Sequence, residues 1–169
     1  MKILILSKRN FDKMMDYNMI SDDNVEEKDI MFISVCHPPF ADWLFDDEYN
    51  RTSWFKREHP NVKIMHFGDF GDEAKNINNE YLFNIGDAKE LYKFIQENEN
   101  KSMAIVHCAA GISRSGAIGT FIFDLYGKRS MTYEEFRRKN PQISPNQRVL
   151  RLLRNEADKD KYKKLTNES

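Results

Sequence analysis

The chain has 169 residues, enough for one domain with a real core. Apolar residues make up 40% and charged residues 31%, the balance of a soluble globular protein rather than a disordered or membrane-embedded one. Lys plus Arg number 26 against 27 Asp plus Glu, so the near-zero net charge gives no global reason to expect nucleic acid or an acidic membrane as partner.

The N-terminal "MKILILSKRN" has too short an apolar run for a signal peptide or a membrane span. Its "KILIL" reads as a short buried strand. "DIMFISVC", 29–36, predicts a second strand, ended by Pro38 and Pro39. Residues 40–60 are aromatic-rich and read as a short helix plus a connection. "NVKIMHF", 61–67, predicts a third strand, followed by Gly68, Gly71 and three acids. Apolar positions Leu82, Ile85, Ala88, Leu91, Tyr92 and Ile95 predict a helix over 79–98, with Gly86 as its weak point. "AIVH", 104–107, is a fourth strand. An apolar helix over 115–126 is closed by Gly127. Thr132 with Glu135, and Ser144 with Gln147, have capping-box spacing, the latter placing Pro145 at the first helical position. The strand runs are continuous rather than alternating, as for strands covered on both faces. The expected fold is a single α/β domain with a central, mostly parallel sheet flanked by helices. The charged tail, 157–169, reads as frayed or as a solvated helix end. Two cysteines, Cys36 and Cys108, make no disulfide framework, which points to the reducing cytoplasm.

The most informative stretch is "VHCAAGISRSG", 106–116. A strand ends at His107, small residues follow, and a helix opens near Ser115. Small residues let the backbone turn inward, so that successive N–H groups face one spot at a helix N-terminus. Such a nest binds an anion. Gly111 supplies a backbone conformation that other residues resist. Cys108 lies at the bottom of this cup, where amides and the helix dipole favour thiolate and bring its pKa into the range of roughly 3.5–7.5. Arg114 offers a planar fork for two phosphate oxygens. Ser115 can hydrogen-bond the thiolate as a leaving group. The backbone of Ala109, Ala110, Gly111, Ile112, Ser113 and Arg114 would hold the phosphate. Together these parts suit attack on a phosphate monoester.

"HCAAGISRSG", with Cys-x5-Arg-Ser preceded by His, resembles the signature of the cysteine-dependent protein tyrosine phosphatases, and most of all their small dual-specificity branch. "SPNQRVLRLL" resembles that branch's Pro-Asn helix start, which singles out Asn146. The resemblance is specific over 61–153 and generic over 1–60. It implies a phosphatase domain over 1–156, a phosphocysteine intermediate, no metal or cofactor, and a phosphorylated protein or peptide substrate. It also implies a general acid from a loop upstream of the cysteine. "HFGDFGDE" offers Asp69 and Asp72; Asp69 is favoured because "F-G-D" directly after a strand is similar to the family's placement. His107 is expected to hydrogen-bond inward and shape the loop. The other histidines have no ligand spacing. Lipid-directed relatives carry basic residues in this loop, and this one has no lysine, which favours phosphotyrosine with or without phosphoserine and phosphothreonine. An RNA 5′-phosphatase of the same superfamily and a non-catalytic phosphate-recognition module are the alternatives. A cysteine at the end of the second strand is similar to a redox partner in some relatives, which makes Cys36 either a redox partner of Cys108 or a buried structural thiol.

Overall fold

The computed structural model describes residues 1–38, 48–74 and 76–167. Four strands form one sheet: β1 (Lys2–Ser7), β2 (Ile30–Cys36), β3 (Val62–His66) and β4 (Met103–Cys108), in the order β1-β4-β2-β3. Every pairing is parallel, with Ser7 opposite Cys108 and Ser34 opposite His107. Parallel pairing brings the strands' C-terminal ends to one edge, where α/β sites form.

Strand alternation assigns each face. Ala104, Val106 and Cys108 of β4, with Met31, Ile33 and Val35 of β2, join the larger core. That core is closed by α3 (Ile85–Glu97), α4 (Arg114–Ile122) and α6 (Gln147–Asn167). Phe32 and Ile105 face the other way, onto Phe11 and Met15 of α1 (Lys8–Tyr17) and onto Phe55. Each such buried side chain contributes about 1.5–3 kcal/mol. A third cluster, Ile5, Phe123, Phe136 and Ile143, seats α5 (Tyr133–Lys139) against the β1 edge. β2 and β4 are covered on both faces as expected; β1, an edge strand, is only partly covered.

Several boundaries differ from the sequence reading. α1 was not anticipated, although Ser7 caps it by accepting from the Asn10 N–H and Phe11 and Met15 sit one turn apart. The helix expected over 79–98 begins at Ile85: Asn84 and Asp87 form a reciprocal capping box, so Gly86 falls in the first turn. Leu82 extended the apolar stripe because it is buried as a loop residue. α4 passes at Phe123–Gly127 into a π-helical turn. Gly127 does not take a left-handed conformation; a Cβ there would collide with the Phe123 ring. Thr132 and Glu135 do form their box. At α6 the cap is Asn146, whose Oδ1 accepts from the Val149 N–H, and not Ser144; Pro145 therefore precedes the cap. α6 then continues through Asn167, its last turns exposed. Pro39 and, of the segment 40–60, residues 40–47 lie outside the described residues; the remainder holds a four-residue helix, α2 (Glu48–Arg51). No helix among the described residues is long and apolar enough to cross a membrane.

Candidate active site

The loop 109–113 leaves β4 and re-enters helix at Arg114, at the C-terminal edge of the sheet. It packs on the junction of β1 and α1. Gly111 takes φ +71°, and a Cβ there would lie 2.5 Å from the Leu6 carbonyl carbon and the Ser7 nitrogen. Both the conformation and the space therefore require glycine. The Lys8 N–H donates to the Ala109 carbonyl at 3.2 Å, and on the far side Ser144 and Asn146 N–H groups donate to the Ile112 and Ser113 carbonyls, each at 3.0 Å. With its carbonyls tied outward, the loop turns N–H groups inward: those of Ile112 and Ser115 face the Cys108 sulfur. Among the described residues, none of the 109–113 N–H groups donates to another backbone carbonyl.

Cys108 is buried at 2% exposure, with its Sγ 3.0 Å from Ser115 Oγ. Burial alone pushes this thiol up. The Ser115 hydroxyl, the Arg114 guanidinium and the Ser115 and Ile112 amides outweigh burial and hold it below the ordinary cysteine range. Arg114 is also buried; its Nη1 donates to the Phe67 carbonyl at 2.8 Å, while Nε has no hydrogen-bond partner among the described residues. A guanidinium anchored by one nitrogen is held in a fixed orientation, with its charge felt at Cys108.

The loop after β3 closes over this cup. Asp69 is exposed, and its Oδ1 accepts from Ser113 Oγ at 2.6 Å and from Asn146 Nδ2 at 2.8 Å. Asn146 Nδ2 also donates to the Phe70 carbonyl. Asp72 points to α6, where Arg148 Nη1 and Arg151 Nη2 each reach its Oδ1 at 2.8 Å. Arg151, and secondarily Arg148, hold the Asp72 carboxyl below its usual range. The two aspartates that sequence spacing left as rivals are thus separated by their partners. Sequence reasoning missed Arg148 and Arg151, whose only signal is their i, i+3 spacing on the helix.

His107, expected to hydrogen-bond inward, lies at the end of β4 beside Cys108. It is fully buried, yet neither ring nitrogen makes a hydrogen bond of good geometry to a described residue. Its ring lies 4.2 Å from that of Phe11, and a contact with the adjoining Cys108 backbone favours protonation against the effect of burial. Burial pushes its pKa down to about 3. Cys36 is a free, buried thiol at the end of β2, next to β4. Alternation puts it on the face of Ser34 and His107, opposite Cys108. Burial pushes its pKa up to about 11. Among the described residues there is no His, Cys, Asp and Glu cluster able to hold a metal.

No protein-family model and no curated protein matches this chain. Among solved structures, the chain is similar to a human tyrosine phosphatase-like serine/threonine/tyrosine-interacting protein at 18% identity and a TM-score of 0.44, over 84% of this chain and 87% of that one. It is similar also to Tk-PTP in its active form, at 16% identity and a TM-score of 0.45, over 94% and 92% of the two chains.

Proposed function

We propose that this chain is a phosphomonoester hydrolase of the cysteine-dependent tyrosine phosphatase type, acting on phosphotyrosine, with or without phosphoserine and phosphothreonine, in a protein or peptide. The observation that carries the reading is the buried Cys108 thiol, drawn toward thiolate by Ser115, Arg114 and two converging amides despite its desolvation. A thiolate in a cup of inward N–H groups meets a phosphate whose oxygens those same groups bind.

The Cys108 thiolate attacks phosphorus as the bond to the departing oxygen breaks, and Asp69 gives that oxygen a proton. The resulting carboxylate takes a proton from water, whose oxygen attacks phosphorus. The P–S bond then breaks, and phosphate and thiolate are restored. Arg114 and the amides of 109–113 hold the equatorial oxygens in both steps. Ser115 steadies the leaving thiolate. Asp69 is favoured over Asp72 as the acid because it rests on Ser113 of the loop, whereas Asp72 is neutralised by two arginines of α6.

Hydrolysis of p-nitrophenyl phosphate tests the reading. Turnover by the wild type, lost in Arg114→Lys, is the expected result, since an ammonium cannot copy the guanidinium fork. Phosphate binding without turnover by the wild type would make the chain a recognition module and overturn the reading.

A further inference from the structure

Behind the rim of the cup, between α4, α5 and α6, lies a second cleft of about 380 Å³. Thr120, Arg137, Ser144, Gln147 and Arg154 line it. It adjoins the first site directly. Ser144 donates its N–H to Ile112, and Ile112, 40% exposed, stands at the edge of the cup. Thr120 is five residues beyond Ser115 on α4, about 7.5 Å along the helix axis.

Three features mark this cleft as built for an anion. Arg137 donates Nη1 to the Ile143 carbonyl at 2.9 Å, and among the described residues no carboxylate pairs with it, so its fork is fixed while its charge is unmatched. Arg154 is held by Asp124, which accepts from its Nε and Nη2 at 3.1 and 2.7 Å; Lys128 stands 3.6 Å from the same carboxylate, so the cluster of two arginines, one lysine and one aspartate remains cationic. Thr120 is 3% exposed, and its hydroxyl has no hydrogen-bond partner among the described residues. A buried hydroxyl left unpaired costs stability, and a threonine here where valine would pack equally well is accounted for by a ligand oxygen.

We infer that this cleft is a second oxyanion subsite, which takes a phosphate or carboxylate carried by the same polypeptide as the phosphoresidue in the Cys108 cup. The inference rests on the phosphatase reading for what occupies the first site. The two sites adjoin through the Ser144–Ile112 contact, so the test peptides place the acid two or three residues from the phosphotyrosine, a span of roughly 7–11 Å of extended chain.

Fluorescence anisotropy on the Cys108→Ser protein decides it, using three peptides: phosphotyrosine among alanines, the same peptide with glutamate at the offset position, and the same with phosphoserine there. The acidic peptides are expected to bind about tenfold more tightly than the alanine peptide, the scale of one charge-assisted hydrogen bond. Thr120→Val, Arg137→Ala and Arg154→Gln should each remove most of that gain, while p-nitrophenyl phosphate turnover in the Cys108 parent of each stays at the wild-type rate. A preference for one acidic peptide identifies carboxylate or phosphate as the ligand. Should Arg137→Ala fail to fold because the Ile143 contact is lost, Thr120→Val decides alone; being isosteric, it should keep or raise the melting temperature. Equal binding of all three peptides, no binding of any, or a gain that survives Thr120→Val overturns the subsite. Absence of p-nitrophenyl phosphate turnover by the wild type overturns the phosphatase reading instead and leaves the peptide comparison to stand on its own.

Discussion

Asn146 donates its side-chain amide to Asp69 Oδ1 at 2.8 Å while its own Oδ1 caps α6 by accepting from the Val149 N–H at 3.1 Å. One side chain thus fixes both the start of a core helix and the loop that bears the proposed acid. The two duties can be separated. Asn146→Ser keeps a cap of comparable quality, whereas Asn146→Ala loses about 1 kcal/mol. Neither retains the donor to Asp69. Both variants are expected to lose hydrolysis of phenyl phosphate, but only the alanine variant should melt at a clearly lower temperature. Wild-type turnover in Asn146→Ser would show that Asp69 needs no such hold.

Substitution of Asp69 should make the rate depend on the leaving group, and substitution of Asp72 should not. Asp69→Asn is expected to slow phenyl phosphate hydrolysis by roughly 10²–10⁴ and p-nitrophenyl phosphate much less, as for loss of a general acid. Asp72→Asn removes an exposed ion pair with Arg148 and Arg151, a contact of small energy. It should lower both rates slightly and by the same factor. Steady-state rates across a series of aryl phosphates make the comparison, and a leaving-group dependence in Asp72→Asn alone would exchange the two roles.

The two cysteines should label at different pH. With its pKa below the ordinary range, Cys108 should react with iodoacetamide near neutrality, while Cys36, raised to about 11, should stay unmodified until the chain unfolds. Burial and its position on the opposite face of the sheet also make Cys36 a poor rescuer of an oxidised Cys108. Recovery of activity after mild peroxide and dithiothreitol should be the same in Cys36→Ala as in the wild type. A Cys36–Cys108 disulfide in the peptide map, with slower recovery in the variant, would establish the redox role instead.

His107 links the loop to acid stability. Its pKa of about 3 lies far below the unfolded value of roughly 6.5. Between these limits the unfolded chain binds a proton that the folded chain excludes. Its contribution to stability is therefore whole above about 6.5 and is lost as pH falls toward about 3. His107→Leu removes this titration and keeps an apolar partner for Phe11. Melting temperatures should fall less steeply with acidification in the variant, and parallel slopes would show that His107 titrates normally.

The candidate site was legible in the sequence because it is local. Cys108, Gly111, Arg114 and Ser115 lie within eight consecutive positions, and small residues between a strand and a helix can form few other shapes. The strands were legible because β2 and β4 are buried on both faces and read as unbroken apolar runs. What escaped depends on tertiary contact. Asn146 rather than Ser144 caps α6 because the Ser144 and Asn146 N–H groups are drawn onto the Ile112 and Ser113 carbonyls. Helix α1 was missed because its two buried anchors, Phe11 and Met15, sit among charged residues. The ring contact of His107 with Phe11 was not legible, because Phe11 comes from an element far away in sequence.

The central claim is a covalent phosphocysteine at Cys108. Rapid acid quenching of the Asp69→Asn protein with p-nitrophenyl phosphate, followed by mass spectrometry of its peptides, observes that species directly, because loss of the base slows its hydrolysis. The account predicts one added phosphoryl group, on the tryptic peptide 102–114 and on sulfur, and no turnover in Cys108→Ser. Phosphate release with no adduct at any quench time, or a Cys108→Ser protein that keeps even about a tenth of wild-type turnover, would contradict it.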